Sequence, residues 1–191
     1  MKTIEFTHAE MAARVSRFRD LKPLPTQTAD EVPLAAKDVV YARKLLSVIG
    51  LEDSSATPIS SGAPIKGAAG MTMTLAACPP GQGPELHSHR STFETFTVLR
   101  GRFEFRWNDD GRDSLILEAL DTISIPPGVC RAFRNVGDEE GIVQVLITGG
   151  VHDMRDIDFA RQIGGKLESI DPAARAYFEK QGFTFTASTS G

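Results

Sequence analysis

The sequence predicts an all-β barrel or sandwich with helical extensions at both ends. Three observations carry this. From Gly70 onward, short runs of β-formers alternate with turn signals: GMTMTLAAC, then PPGQGPE, then TFETFTVL, and on to IVQVLITGG. Strands spaced that evenly by Gly, Pro and Asn-Asp turns build a sandwich or a barrel. Within this stretch RFEFRW alternates strictly, with Phe103, Phe105 and Trp107 on one face and Arg102, Glu104 and Arg106 on the other, as a half-buried strand does. Both ends of the chain lose the two-residue rhythm and carry helix signals instead.

Taken in order, Thr7 to Leu21 reads as a helix. Thr7 and Glu10 have capping-box spacing, and Met11, Val15, Phe18 and Leu21 form an apolar stripe. Pro23 and Pro25 should end it. Thr26 to Lys37 is a polar linker. Asp38 to Gly50, DVVYARKLLSVIG, is expected as a strand, with a helix as the competing reading. Leu51 to Pro64 is a loop, dense in Ser, Pro, Gly and Asp. NDDG, between RFEFRW and SLILEAL, marks a hairpin. Beyond Val151, MRDIDFARQIGG and DPAARAYFEKQG are expected as helices. Asp171 and Pro172 would start the second, and Gly182 would end it. The last residues, from TFTASTSG without its first apolar pair, should fray. The expected organisation is an arm and linker over 1–37, a barrel over 38–150, and a helical tail over 151–191 packed on the barrel.

Composition removes several function classes. The formal net charge is −4 and no basic run occurs, so a nucleic-acid surface is not expected. No apolar run approaches the roughly 20 residues that span a bilayer. The charged N-terminus lacks the apolar core of a secretory signal. A soluble, cytoplasmic protein is the expectation. Cys78 and Cys130 form neither a disulfide framework nor a zinc-finger spacing.

The chemistry concentrates between Gly81 and Gly101, GQGPELHSHRSTFETFTVLRG. In a strand, His87 and His89 point to the same face, and Glu94 can join them from the next strand. Two neutral imidazoles and one carboxylate suit a divalent transition metal, non-haem iron among them. The plain alternative is a polar turn holding two histidines. His8, in the predicted N-terminal helix, reads as a surface residue.

The spacing Gly81, His87, His89, Glu94, Gly101 resembles the first motif of the cupin superfamily, G-x5-H-x-H-x4-E-x6-G, at every fixed position. The second cupin motif, G-x5-P-x-G-x2-H-x3-N, is matched in register by LDTISIPPGVCRAFRN. Pro126, Gly128 and Asn135 agree. Leu120 stands where that motif has glycine, and Arg131 stands where it has histidine. The resemblance covers about Gly70 to Gly149. It implies a jelly-roll barrel, the double-stranded β-helix, with His87, His89 and Glu94 pointing inward to hold Fe, Mn, Ni or Zn, and with the fourth protein ligand missing.

Three readings of Arg131 follow. In one, the metal sits on His87, His89 and Glu94 alone, and Arg131 anchors an anionic substrate. In the second, the metal is lost and Arg131 pairs with Glu94 in a closed pocket. In the third, His152 or Cys130 replaces the missing ligand. A guanidinium about 4 Å from a divalent ion costs roughly 8 kcal/mol at an effective dielectric near 20, so Arg131 and a metal cannot share the site without an anion or a swing of the side chain. The expected function is a metal-dependent enzyme acting on a small anionic or aromatic molecule, dioxygenase-like rather than isomerase. The alternative is a metal-free cupin that binds a small molecule without catalysis. The amphipathic arm, with the habit of cupins to pair, implies a homodimer.

Overall fold

Two sheets face each other in the computed structural model, which describes residues 1–51, 57, 62–67, 70–150 and 152–188. The first sheet has the order β1 (Lys44–Ile49), β2 (Met71–Cys78), β9 (Gly141–Thr148), β4 (Phe93–Arg100), β7 (Thr122–Ile125). The second runs β11 (Thr184–Ala187), β10 (Ile157–Ala160), β3 (His87–His89), β8 (Arg131–Asn135), β5 (Phe103–Trp107), β6 (Asp113–Leu117). The strand pairings are antiparallel except that of β10 with β11. This is the double-stranded β-helix that the cupin resemblance implied.

Alternation along the strands fills the space between the sheets. Phe96 and Val98 of β4, Phe103 and Phe105 of β5, and Val143 of β9 are fully buried. Phe96, Phe105 and Phe133 meet with ring centroids 5.1–5.6 Å apart. Trp107 is only half-buried. On the outer face Arg106 lies 3.8 Å from Glu85, and Arg102 lies 3.6 Å from Glu118.

The turn residues of the two motifs show why the spacing exists. Gly81 and Gly101 both adopt left-handed backbone, φ 77° and 89°. Leu120, at the position of the missing glycine, is held at φ 78°. A leucine there carries strain of about 1–2 kcal/mol. Asn135 donates through Nδ2 to the carbonyls of Cys78 (2.8 Å) and Glu139 (2.7 Å), and its Oδ1 accepts from Gly137 N (2.9 Å). It thereby closes the turn from β8 to β9.

The ends of the chain depart from the sequence reading. The capping box at Thr7 and Glu10 forms, but the helix α1 spans only His8–Ala12 and buries none of its residues. A short 3₁₀ turn follows at Phe18–Asp20, and Met11, Val15 and Phe18 stay exposed. So short a helix gains too little from propensity to extend without packing. Pro25, expected to stop a helix, opens the single-turn α2 (Pro25–Thr28). The expected linker also contains most of α3 (Leu34–Val40), so the first three residues of the predicted strand at Asp38 to Gly50 are helical. Packing overrides the β-branched Val39 and Val40 here: both are buried in the cluster that holds the tail aromatics. The predicted loop at Leu51 to Pro64 lies mostly outside the described residues.

The tail is not wholly helical. Met154–Asp156 is a 3₁₀ turn and Ile157–Ala160 is the strand β10, followed by α4 (Arg161–Ile170) and α5 (Ala174–Lys180). The second helix starts after Ala173, and Asp171 caps the preceding turn by accepting from Ala173 N at 2.7 Å. Gly182 has φ 106°, fitting a helix end. Thr184–Ala187 forms β11, which takes in Thr186 and Ala187, the first two of the residues expected to fray. Asp158 holds it, accepting from Thr186 N and Thr186 Oγ1, each at 2.8 Å. Phe159, Phe178, Phe183 and Phe185 pack with α3 into a second core outside the barrel. β10 pairs along β3, aligning Ile157 with His89 and Phe159 with His87. No helix among the described residues is long and apolar enough to cross a membrane.

Candidate metal centre

The strand β3 places His87 and His89 on one face, and β4 brings Glu94 up to them. All three are buried. One ligand atom from each lies within 4.8 Å of the others, which is a group positioned to hold a metal ion. Glu94 Oε2 is 3.9 Å from His87 Nε2 and 3.7 Å from His89 Nε2. These distances are too long for hydrogen bonds and resemble the spacing of ligands around a common ion.

The ring orientations favour the same use. His87 Nδ1 lies 2.7 Å from the Glu85 carbonyl oxygen, which can only accept, so the Nδ1 carries the proton and Nε2 keeps its lone pair. His89 Nδ1 is 2.7 Å from Thr92 Oγ1 and 3.1 Å from Asp156 Oδ2. Both rings thus turn Nε2 toward Glu94. The donor set fits a divalent transition metal.

Arg131 complicates the fit. In the ladder it stands directly opposite His87, and its side chain is 1% exposed. Its Nε donates to Glu94 Oε2 at 2.9 Å, its Nη2 donates to the same oxygen, and its Nη1 donates to the His87 carbonyl at 3.1 Å. The guanidinium therefore satisfies the carboxylate that a metal would also need. Burial and the Arg131 charge push the His87 pKa down to about 3. Burial would raise that of Glu94, but Arg131 and the two imidazoles outweigh it and bring it to about 2.

Those shifts set a pH dependence. Below its ordinary 6.5, His87 takes up a proton in the unfolded chain but not in the native one until about 3. Below 4.5, Glu94 does the same down to about 2. In both windows the unfolded state binds more protons, so stability falls as pH falls. Thermal melts of metal-free protein should show a midpoint that drops steadily from pH 7 to pH 4. A flat profile over that range would contradict the buried arrangement.

The remaining candidates sit elsewhere. His152 is outside the group: its Nδ1 is 3.2 Å from Thr72 Oγ1, and its Nε2 is buried without a hydrogen-bond partner among the described residues. Cys130 is buried in the second core, and burial raises its pKa to about 11. His8 is exposed on α1. Neither Asp156 nor Thr92, which hold His89, was singled out from the sequence. A carboxylate 67 positions beyond the histidine has no local spacing to betray it.

A cavity of about 70 Å³ opens onto His87, His89 and Glu94. Its walls are apolar and come from three sources: barrel residues such as Phe133 and Val145, Tyr41 after α3, and Phe159 and Phe183 of the tail. Tyr41 Oη and Gln181 Oε1, 3.2 Å apart, join the segment after α3 to the tail. Arg131 is not among the residues lining this cavity.

The family model described as Cupin domain matches residues 74–148. No curated protein matches the chain. Among solved structures, one described as "Crystal structures of DMSP lyases" is similar at 19% identity and TM-score 0.45, over 56% of this chain and 48% of the other. An uncharacterized conserved protein with a double-stranded β-helix domain from Klebsiella pneumoniae is similar at 25% identity and TM-score 0.39, over 42% and 68%. The capsular polysaccharide assembling protein CapF from Staphylococcus aureus is similar at 17% identity and TM-score 0.47, over 61% and 31%. The chain thus spans about half of the first of these and under a third of the last.

Proposed function

The chain belongs to the cupin superfamily, and from that premise we propose that it is a metal-dependent enzyme acting on a small molecule, with dioxygenase-like chemistry. The supporting observation is the buried group of His87, His89 and Glu94, with both Nε2 atoms turned toward one carboxylate oxygen. An iron, manganese, nickel or zinc ion on these three ligands would supply Lewis acidity or oxygen activation, with coordination positions left open.

The residues of the chain do the rest. His87 and His89 present fixed lone pairs. The apolar wall of Phe133, Phe159 and Phe183 excludes water and confines the substrate to a few heavy atoms unless the wall moves. Arg131 neutralises Glu94 in the metal-free protein. Arg131 does not line the cavity, so anchoring a substrate carboxylate with its planar fork would require it to leave Glu94. A cytoplasmic location and a homodimer belong to the same proposal. The dimer is supported by the exposed stripe of Met11, Val15 and Phe18, which a second copy can cover.

The Arg131–Glu94 ion pair favours one other reading, a metal-free cupin that binds a small molecule without catalysis. Elemental analysis and oxygen uptake separate the two. After supplementation with Fe(II), the wild type should carry about one ion per chain, lost in His89→Ala, and should consume oxygen with a substrate from a panel of small carboxylates and phenols. Metal content below about a tenth of an ion per chain would leave the binding module standing.

A further inference from the structure

We propose that Asp156, from the segment beyond the matched cupin domain, is a positioning residue that sets the tautomer of His89 and thereby its capacity to bind metal. The metal part of this rests on the function proposed above. Asp156 is 4% exposed and lies in the 3₁₀ turn before β10. Its two oxygens have separate duties. Oδ1 accepts from Ser91 N at 2.8 Å and Ser91 Oγ at 2.6 Å. Oδ2 accepts from Thr92 Oγ1 at 2.6 Å and lies 3.1 Å from His89 Nδ1.

These contacts run in one direction. A carboxylate donates nothing, so the Thr92 hydroxyl must spend its proton on Oδ2. Its lone pairs then face His89, which can meet them only as an Nδ1–H donor. Nε2 is left bare toward Glu94. The backbone N–H of Ser91 fixes which end of the group is which: an acceptor must stand at the Oδ1 position. Asp156→Asn therefore has one satisfied orientation, with its oxygen toward Ser91 and its NH₂ toward Thr92. The hydroxyl would then accept from the amide and donate to His89 Nδ1. The chain of bonds reverses, and His89 becomes the Nε2–H tautomer, whose proton occupies the lone pair a metal needs. A change of tautomer through an outer carboxylate is a large effect where an imidazole must offer one named nitrogen.

Long-range ¹H–¹⁵N correlation of the histidine rings in metal-free protein reads the tautomer without any metal or activity. Wild type should show His89 protonated on Nδ1 and bare on Nε2. Asp156→Asn should show the reverse, and Zn(II) affinity by calorimetry should fall roughly 10–100-fold. Thr92→Val removes the hydroxyl but leaves the Asp156 oxygen 3.1 Å from Nδ1. It should keep the wild-type tautomer, and it carries the test if Asp156→Asn fails to fold. An Nε2–H tautomer in wild type or in Thr92→Val would overturn the proposal. So would an unchanged tautomer in Asp156→Asn, or a reversed one with unchanged Zn(II) affinity. If wild type binds no Zn(II), the metal reading fails on its own, and the tautomer comparison still decides whether Asp156 positions His89.

Discussion

Arg131→Met should cost the metal-free protein about 3–5 kcal/mol, and saturating divalent metal should restore much of it. The guanidinium is 1% exposed, and two of its nitrogens donate to one oxygen of Glu94. Removing it leaves a carboxylate in an apolar barrel with no compensating charge. Methionine fills much of the volume, so the loss is electrostatic more than a matter of cavity. A metal ion on His87, His89 and Glu94 would supply the missing positive charge, which is why its rescue should be larger in the variant than in the wild type. Denaturant titrations with and without Zn(II) check both halves. A variant as stable as the wild type would contradict the ion pair. A destabilised variant indifferent to metal would contradict the metal site.

Phe159→Ala is the second large effect, about 3–5 kcal/mol from lost burial and the cavity left behind. Phe159 is 1% exposed, stacks on Phe185 with centroids 5.5 Å apart, and lies 5.2 Å from the His87 ring. It belongs to the tail yet forms a wall of the cavity over the site. Truncation should lower the denaturation midpoint and also admit larger molecules above His87. A loss below about 1 kcal/mol would mean that the tail is not integral to the fold. Chemical denaturation followed by ring-proton shifts of His87 measures both consequences.

What could be read from the sequence, and what could not, divides along physical lines. The barrel was legible because alternation is a local signal: Phe103 and Phe105 turn in and Arg102 turns out, as the pattern required. The grouping of His87, His89 and Glu94 was legible because the first motif sets two histidines on one strand and a glutamate on the next. Leu120 shows the second motif from another side, since the backbone keeps the left-handed turn even without glycine. The tail was misread because IDFA, within a run of helix formers, becomes a strand through pairing with β3, and Thr184–Ala187 becomes one by pairing with IDFA in turn. Neither partner is near in sequence. The arm was over-read because a capping box and a stripe describe a helix's capacity, not the surface it would need to bury. The sequence alone does not fix the direction of Arg131, since spacing cannot say whether a long side chain faces an ion, a ligand or a carboxylate.

Anomalous scattering from crystals grown with Mn(II) or Zn(II) would locate an ion on His87, His89 and Glu94. One peak is expected about 2.0–2.3 Å from His87 Nε2, His89 Nε2 and a Glu94 oxygen, with Arg131 drawn off that carboxylate. No peak at saturating metal, with the Arg131–Glu94 pair intact, would contradict the metal site.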